Sequence, residues 1–278
     1  VPLNPEQQQL VDQWLPGACI VADLSWGLVD TTVLHLRWAK GEVIVKAAGP
    51  KNHHLWREIT GHLEFTAPWL SEGRVGRLLR HNRDLNVLVL EYLPGVLADG
   101  TSAATDPETH RQAGALLAAL HGQASRIDDQ YETQMDARAL RWLDGDHRID
   151  PRTEARVREV IAGHDRPPAV LVPTHGDWQP RNWLVDGRCV LVIDLGRADW
   201  RPALTDLARL SRQQWDGRTD LEAAFLAGYG ADPREPGAWR RTLLREAIGT
   251  ACWAYQVGDE PFEQQGHRML LQCLAMAP

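Results

Sequence analysis

Two carboxylates and an amide are spaced for metal-assisted chemistry in Thr174-His175-Gly176-Asp177-Trp178-Gln179-Pro180-Arg181-Asn182 and Val192-Ile193-Asp194. Asn182 lies five residues after Asp177, and Asp194 seventeen after it. Between them, Trp183-Leu184-Val185 and Val190-Leu191-Val192-Ile193 read as strands, with Asp186-Gly187 as their turn. Folded back as a hairpin, these strands hold Asp177 and Asp194 close. Two carboxylates and an amide oxygen at a strand end suit a hard cation such as Mg²⁺. Phosphoryl transfer needs such parts, because its transition state spreads charge over non-bridging oxygens while an acceptor hydroxyl is oriented and deprotonated. Asp177 is placed for that proton, Asn182 and Asp194 for metal.

The elements around these residues follow from periodicity. Val33 to Trp38 alternates, Ala39 to Glu42 supplies a turn, and Glu42 to Lys46 is a second strand, which together signal a hairpin. A helix is predicted over Asn52 to Leu63, entered through Gly49-Pro50. Asn86 to Leu93 reads as a buried strand ended by Pro94-Gly95. Beyond it the pattern turns helical: Pro107 to His121, Asp136 to Leu143, Arg152 to Ala162, and from about Thr205 to the end. Only the island formed by Val170 to Val172 and the 183–193 hairpin interrupts it. No internal repeat or low-complexity segment is present.

The pattern His175-Gly176-Asp177-x-x-x-x-Asn182 with Ile193-Asp194 resembles the aminoglycoside phosphotransferase and choline kinase group, across nearly the whole chain. The resemblance implies an α+β, bilobal protein-kinase-like fold. It has a small antiparallel-sheet nucleotide-binding lobe with one helix, residues 1–93, and a larger, mostly helical acceptor lobe, residues 94–278. It makes Asp177 the catalytic base, Asn182 and Asp194 the Mg²⁺ ligands, and His175 a structural residue of the catalytic loop. Asp206, in Thr205-Asp206-Leu207-Ala208, resembles the aspartate that braces that loop. Lys46 resembles the strand lysine that grips the α- and β-phosphates, and Glu58 is spaced to pair with it. Leu90-Glu91-Tyr92-Leu93 falls at the hinge, where backbone groups of Glu91 and Leu93 contact the base. One piece departs from the pattern. The phosphate loop, Leu24 to Thr32, holds a single glycine, so hydroxyls of Ser25, Thr31 or Thr32 are expected to substitute for backbone N–H groups.

Composition narrows the function. The chain has 278 residues, 44% hydrophobic and 24% charged, which suits a globular protein with a sizeable core. Its net charge of -7 argues against nucleic acid as a partner. The charge is concentrated after residue 95, where 27 acidic face 21 basic side chains. No apolar run is long enough to span a membrane, and Val1 to Gln9 does not read as a secretory leader. Cys19, Cys189, Cys252 and Cys273 are scattered without a metal or disulfide pattern, which points to a reducing, cytoplasmic setting.

Other chemistries lack their residues. None of the three lysines, Lys40, Lys46 and Lys51, follows glycine as a Walker A loop requires. There is no G-x-S-x-G elbow and no H-E-x-x-H helix, and His53-His54 is adjacent rather than spaced by a helical turn. No A-P-E-like segment follows Asp194, which disfavours a protein substrate. The expected activity is therefore Mg²⁺-dependent transfer of the γ-phosphate of ATP or GTP to a hydroxyl of a small molecule, an antibiotic, conferring resistance. A metabolic kinase acting on choline, a sugar or an amino alcohol is the alternative, and a nucleotide-binding pseudokinase a third. The acceptor is expected against the helical half. Trp200, Trp215, Trp239 and Trp253 are candidate walls or core. Asp216, Asp220, Glu222, Asp259, Glu260 and Glu263 are candidate partners for a cationic acceptor, or solvated helix faces.

Overall fold

A computed structural model describes residues 3–25 and 30–275. In chain order the first elements are α1 (Pro5–Trp14), β1 (Cys19–Asp23), β2 (Thr31–Trp38), β3 (Gly41–Ala48), α2 (His53–Glu64), α3 (Ala67–Ser71), β4 (Leu78–Asn82), β5 (Val87–Glu91) and β6 (Val96–Leu97). They continue with α4 (Pro107–His121), β7 (Arg126–Asp128), α5 (Tyr131–Leu143), α6 (Pro151–Ala162), β8 (Ala169–Thr174), β9 (Trp183–Asp186), β10 (Cys189–Val192) and β11 (Asp199–Arg201). The last are α7 (Ala208–Arg212), α8 (Thr219–Tyr229), α9 (Pro236–Val257) and α10 (Glu260–Ala275). The fold is α+β, and no helix among the described residues is long and apolar enough to cross a membrane.

The chain packs as two compact units. One comprises Val1–Ala124, Pro173–Trp200 and Gly217–Gly230; the other Ser125–Val172, Arg201–Asp216 and Ala231–Pro278. This division follows packing and runs along a different line from the expected lobes.

The first unit holds an antiparallel five-stranded sheet in the order β1-β2-β3-β5-β4. The predicted hairpin is β2–β3, in continuous register from Thr31↔Ala48 to Trp38↔Gly41. Its alternation puts Leu34, Leu36, Val43 and Val45 on one face, packed with Val11 of α1 and with Leu15 just after it. The opposite face carries Lys46 and packs Leu88 and Leu90 against Leu55 and Ile59 of α2. The single helix expected in this region is α2, and α1 and the short α3 are additional. Helix α1 was hidden because its sequence is glutamine-rich rather than apolar-periodic. It is specified by its start, a capping box between Asn4 and Gln7 with Pro5 in the first turn. Buried Gln7 then pins it to the sheet through the Ala48 and Leu85 carbonyls, at 3.0 and 2.9 Å.

The 183–193 hairpin forms as β9–β10, pairing Val192↔Trp183 through Cys189↔Asp186, with β6 on its other edge. Gly187 takes the left-handed conformation, φ 58°, that the tight turn requires. Helix α8 joins this unit by crossing α4 at two glycines. A Cβ on Gly114 would lie 2.1 Å from the Phe225 carbonyl oxygen, and one on Gly228 1.9 Å from that of Arg111.

The second unit is a helical core. Leu143 of α5, Val157 and Ile161 of α6, Leu244 and Ile248 of α9, and Leu270 of α10 are all buried in it. Helix α5 starts at Tyr131, one turn and more before the Asp136 start predicted. Buried Glu132 is held there by Arg241 at 3.0 Å and Arg245 at 2.7 Å, both on α9. The chain ends in α10, with Met269, Leu270 and Cys273 buried; residues 276–278 lie outside the described residues.

Candidate active site

Asp177 follows β8 in the loop 175–182 and is 5% exposed. Its carboxylate accepts from Gln179 Nε2 at 2.5 Å on Oδ1, and from Arg181 Nη2 at 2.6 Å and Asn182 Nδ2 at 3.1 Å on Oδ2. Asn182 Nδ2 also donates to the Asp177 carbonyl at 2.7 Å. The amide nitrogen is thus committed to Asp177, and Asn182 Oδ1 is its free-facing acceptor. His175 accepts from the Asp177 N–H through Nδ1 at 3.3 Å, so its Nε2 donates to the Ile193 carbonyl at 3.0 Å. The Ile193 N–H in turn donates to the Asn182 carbonyl at 3.1 Å. Loop and hairpin are therefore stitched together, as the sequence spacing required. Beneath them Trp178 packs on Trp69, His175 and Trp183 with ring centroids 5.2 to 5.8 Å apart.

Asp194 follows the hairpin in a left-handed conformation, φ 64°, which is unfavourable for a residue with a Cβ and is tolerated best by Asn and Asp. Its Oδ1 accepts from the Gly196 N–H at 3.1 Å and stands 4.0 Å from Lys46 Nζ. Desolvation pulls the Asp194 carboxyl up, but Lys46 and the Gly196 N–H hold it below the usual carboxylate range. Lys46 donates to Glu58 at 2.6 Å, as the helix spacing predicted; their side chains are 14% and 3% exposed. Burial works against the Lys46 charge, yet the Glu58 and Asp194 carboxylates keep its pKa above the ordinary value. Burial pushes the Glu58 carboxyl up.

Helix α2 locks onto the Asp194 turn. His54 Nδ1 meets the Gly196 carbonyl at 3.1 Å, and Gly61 lies where a Cβ would press on Leu195 and Ala198 at 3.1 and 3.0 Å. One turn after Glu58, His62 is buried, and its Nδ1 has no hydrogen-bond partner. Burial, with Lys46 nearby, drives its pKa down to about 3.

The remaining predicted residues fall as follows. Glu91 ends β5; its side chain turns to Arg77 at 3.0 Å, and its carbonyl passes Gly76 where a Cβ would lie at 2.5 Å. Leu93 is half-buried just beyond. Ser25 Oγ accepts from the Val33 N–H at 3.0 Å and so closes the β1–β2 connection; of the predicted phosphate loop, Trp26 to Val29 lie outside the described residues. Asp206 is buried in the turn Ala203–Leu207 of the second unit. Trp200 packs edge-on against Phe65 and Trp253 against Phe262, while Arg234 lies over Trp215 and Trp239. Asp220 and buried Glu263 are already paired, with Arg218 and Arg148. Nothing in the sequence singled out Gln179, Arg181 or His62. Arg181 stood four residues after Asp177, a signal only once the loop is known to turn on itself.

The donor set fits a hard divalent cation. Asn182 Oδ1 and the charged Asp194 carboxylate are oxygens on adjoining, mutually bonded segments. No group of three or more His, Cys, Asp or Glu side chains among the described residues forms a metal site. Mg²⁺ does not need one, since it keeps several waters and takes phosphate oxygens beside one or two protein ligands.

No curated protein matches the chain in sequence. Solved structures do match it over nearly their whole length. Macrolide 2′-phosphotransferase MphH from Brachybacterium faecium is 17% identical, with 94% of this chain and 96% of that one covered, at TM-score 0.60. Aminoglycoside phosphotransferase APH(4)-Ia is 11% identical, with 98% of each chain covered, at TM-score 0.70. Choline kinase LicA from Streptococcus pneumoniae is 13% identical, with 97% and 98% covered, at TM-score 0.67. At these identities the likeness is one of fold, and it is the kinase-like α+β fold that the sequence pattern implied. The model of the phosphotransferase enzyme family matches residues 25–244, from the β1–β2 connection into α9, and the chain belongs to that family.

Proposed function

We propose that this protein transfers the γ-phosphate of ATP or GTP to a hydroxyl group of an antibiotic. The observation that carries the reading is the joined array of Lys46, Glu58, Asp194, Asn182 and Asp177, linked through the contacts above. Residues 1–93 supply the nucleotide side and 94–278 the acceptor side. Lys46, charged and fixed by Glu58, grips the α- and β-phosphates; backbone groups of Glu91 and Leu93 contact the base, and Ser25 approaches the phosphates. Asn182 and Asp194 hold Mg²⁺, which when bound neutralises charge on the phosphate oxygens. Asp177 orients the acceptor hydroxyl and takes its proton, with Gln179, Arg181 and Asn182 fixing its carboxylate and His175 bracing the loop. APH(4)-Ia, solved as a thermostable mutant with ADP or AMP-PNP and hygromycin B, supports the nucleotide and antibiotic parts of this reading.

The likeness to choline kinase LicA, at TM-score 0.67 beside 0.70 for APH(4)-Ia, supports a second reading, a metabolic kinase of a small amino alcohol. A single experiment separates them. The protein, Mg²⁺ and ATP or GTP are incubated with panels of antibiotics and of small metabolites, and products are read by mass for one added phosphate. A phosphorylated antibiotic is the expected result. A phosphorylated metabolite with no antibiotic product transfers the assignment to the second reading. Nucleotide binding without any product leaves a nucleotide-binding pseudokinase or an acceptor outside the panels.

A further inference from the structure

A cavity of about 400 Å³ opens on the first unit, between α3, α4 and the β9–β10 turn. Its volume falls in the range of small-molecule sites. One wall is apolar, formed by Pro68, Ala115, Leu116 and Ala119. It is held firm because the buried Trp69 indole N–H donates to the Leu116 carbonyl at 2.8 Å. The other wall carries three guanidiniums, those of Arg74, Arg111 and Arg188. This wall is rigid as well. Gln112 of α4 donates to the Arg188 carbonyl at 2.7 Å and accepts from the Val190 N–H at 3.1 Å, clipping the helix to the turn.

Charge pairing leaves one cation over. Arg111 is held by Glu108 through two bonds of 2.7 Å, and Arg74 by the Val190 carbonyl at 3.2 Å with Glu72 at 3.7 Å. The Arg188 side chain makes no hydrogen bond with any described residue; its charged neighbour is Glu108, which is already hydrogen-bonded to Arg111. Three guanidiniums against the two carboxylates of Glu72 and Glu108 leave the apolar wall facing one cation in excess, which suits an anion with an apolar body. We infer that this cavity is a second ligand site, separate from Asp177, which binds small aromatic carboxylates through Arg188.

The cavity carries its own reporter. Cys189 lies on its rim with an exposed thiol; Cys19 is exposed elsewhere, on β1, and Cys252 and Cys273 are buried. The full chain is treated with bis(carboxynitrophenyl) disulfide, an aromatic carboxylate, and separately with uncharged dipyridyl disulfide. In each, a cysteine thiolate attacks one sulfur, the reagent S–S bond breaks, a mixed disulfide forms and an aryl thiolate leaves. Rates at Cys189 and Cys19 are resolved by peptide mass. The ratio of anionic to neutral reagent rates is expected to be about tenfold higher at Cys189 than at Cys19, in the range that a focused charge produces. Arg188→Gln, in an exposed turn, is expected to remove that difference. Free nitrobenzoate is expected to slow dipyridyl labelling of Cys189 in a saturable way and to leave Cys19 unaffected. Equal ratios at the two cysteines, a ratio unchanged by Arg188→Gln, or unsaturable protection by nitrobenzoate each overturn the inference.

Discussion

Replacing Lys46 by methionine isolates the buried charge pair at the centre of the site. At 2.6 Å and an effective dielectric of about 20, Lys46 and Glu58 attract by about 6 kcal/mol before desolvation is subtracted. Removing one partner of a buried pair typically costs about 3–5 kcal/mol, because the other charge is left uncompensated. In Lys46→Met that charge is Glu58, whose side chain is 3% exposed and whose pKa burial already raises. Without the ammonium it rises further, and Glu58 folds by taking up a proton. A group whose folded pKa lies above its unfolded value contributes stability at low pH and loses it as pH rises through the folded pKa. The variant's deficit relative to wild type should therefore grow with pH, reaching about 3–5 kcal/mol where Glu58 has to stay charged. Urea unfolding of both proteins at about pH 5 and about pH 8 measures it. Lys46→Met combined with Glu58→Leu should recover part of the loss, since Glu58 no longer stands charged and buried while Asp194, 4.0 Å from Lys46, still lacks that cation. A deficit below about 1 kcal/mol at the higher pH, or one that does not change with pH, refutes the pairing as an energetic element.

Four further outcomes are expected. Asp177→Asn should lower turnover by roughly 10²–10⁴-fold while nucleotide still binds by calorimetry; near wild-type turnover would remove Asp177 as base. Asp194→Ala should abolish Mg²⁺-dependent activity, and an unchanged Mg²⁺ titration would sink that ligand. Gly228→Ala forces a methyl onto the Arg111 carbonyl at the α4–α8 crossing and should destabilise by about 2 kcal/mol or more, read as a lower Tm. His62 is held neutral in the fold, with its pKa near 3 against 6.5 unfolded, so the unfolded chain binds the extra proton between those values. Stability should therefore fall as pH drops below about 6.5, by up to roughly 1.4 kcal/mol per pH unit, and His62→Leu should flatten that acid limb.

Much of the site is legible in sequence because its parts are local. Asp177, Asn182 and Asp194 belong to one loop and the hairpin after it, and the alternation of residues 183–193 with Asp186-Gly187 determined that they return to one another. The same short-range logic determined the β2–β3 hairpin that ends near Lys46 and the helix that carries Glu58, twelve residues apart. Side-chain directions and long-range partners were not legible. Arg181 could face solvent or Asp177, and only the turn at Pro180 to Asn182 aims it inward. The polar surface of α1 hid a helix whose burial rests on the sheet beneath it. The charge of His62 is decided by enclosure beside Lys46, not by its neighbours in sequence. Helix α8 lies a hundred residues from α4, and the close approach at Gly114 and Gly228 brings it into the same compact unit. Periodicity and turn chemistry act over a few residues, and so the sequence by itself determined the elements and their chemical cargo. Burial, pairing of charges and close helix contact are properties of what packs against what, and only the tertiary structure decided them.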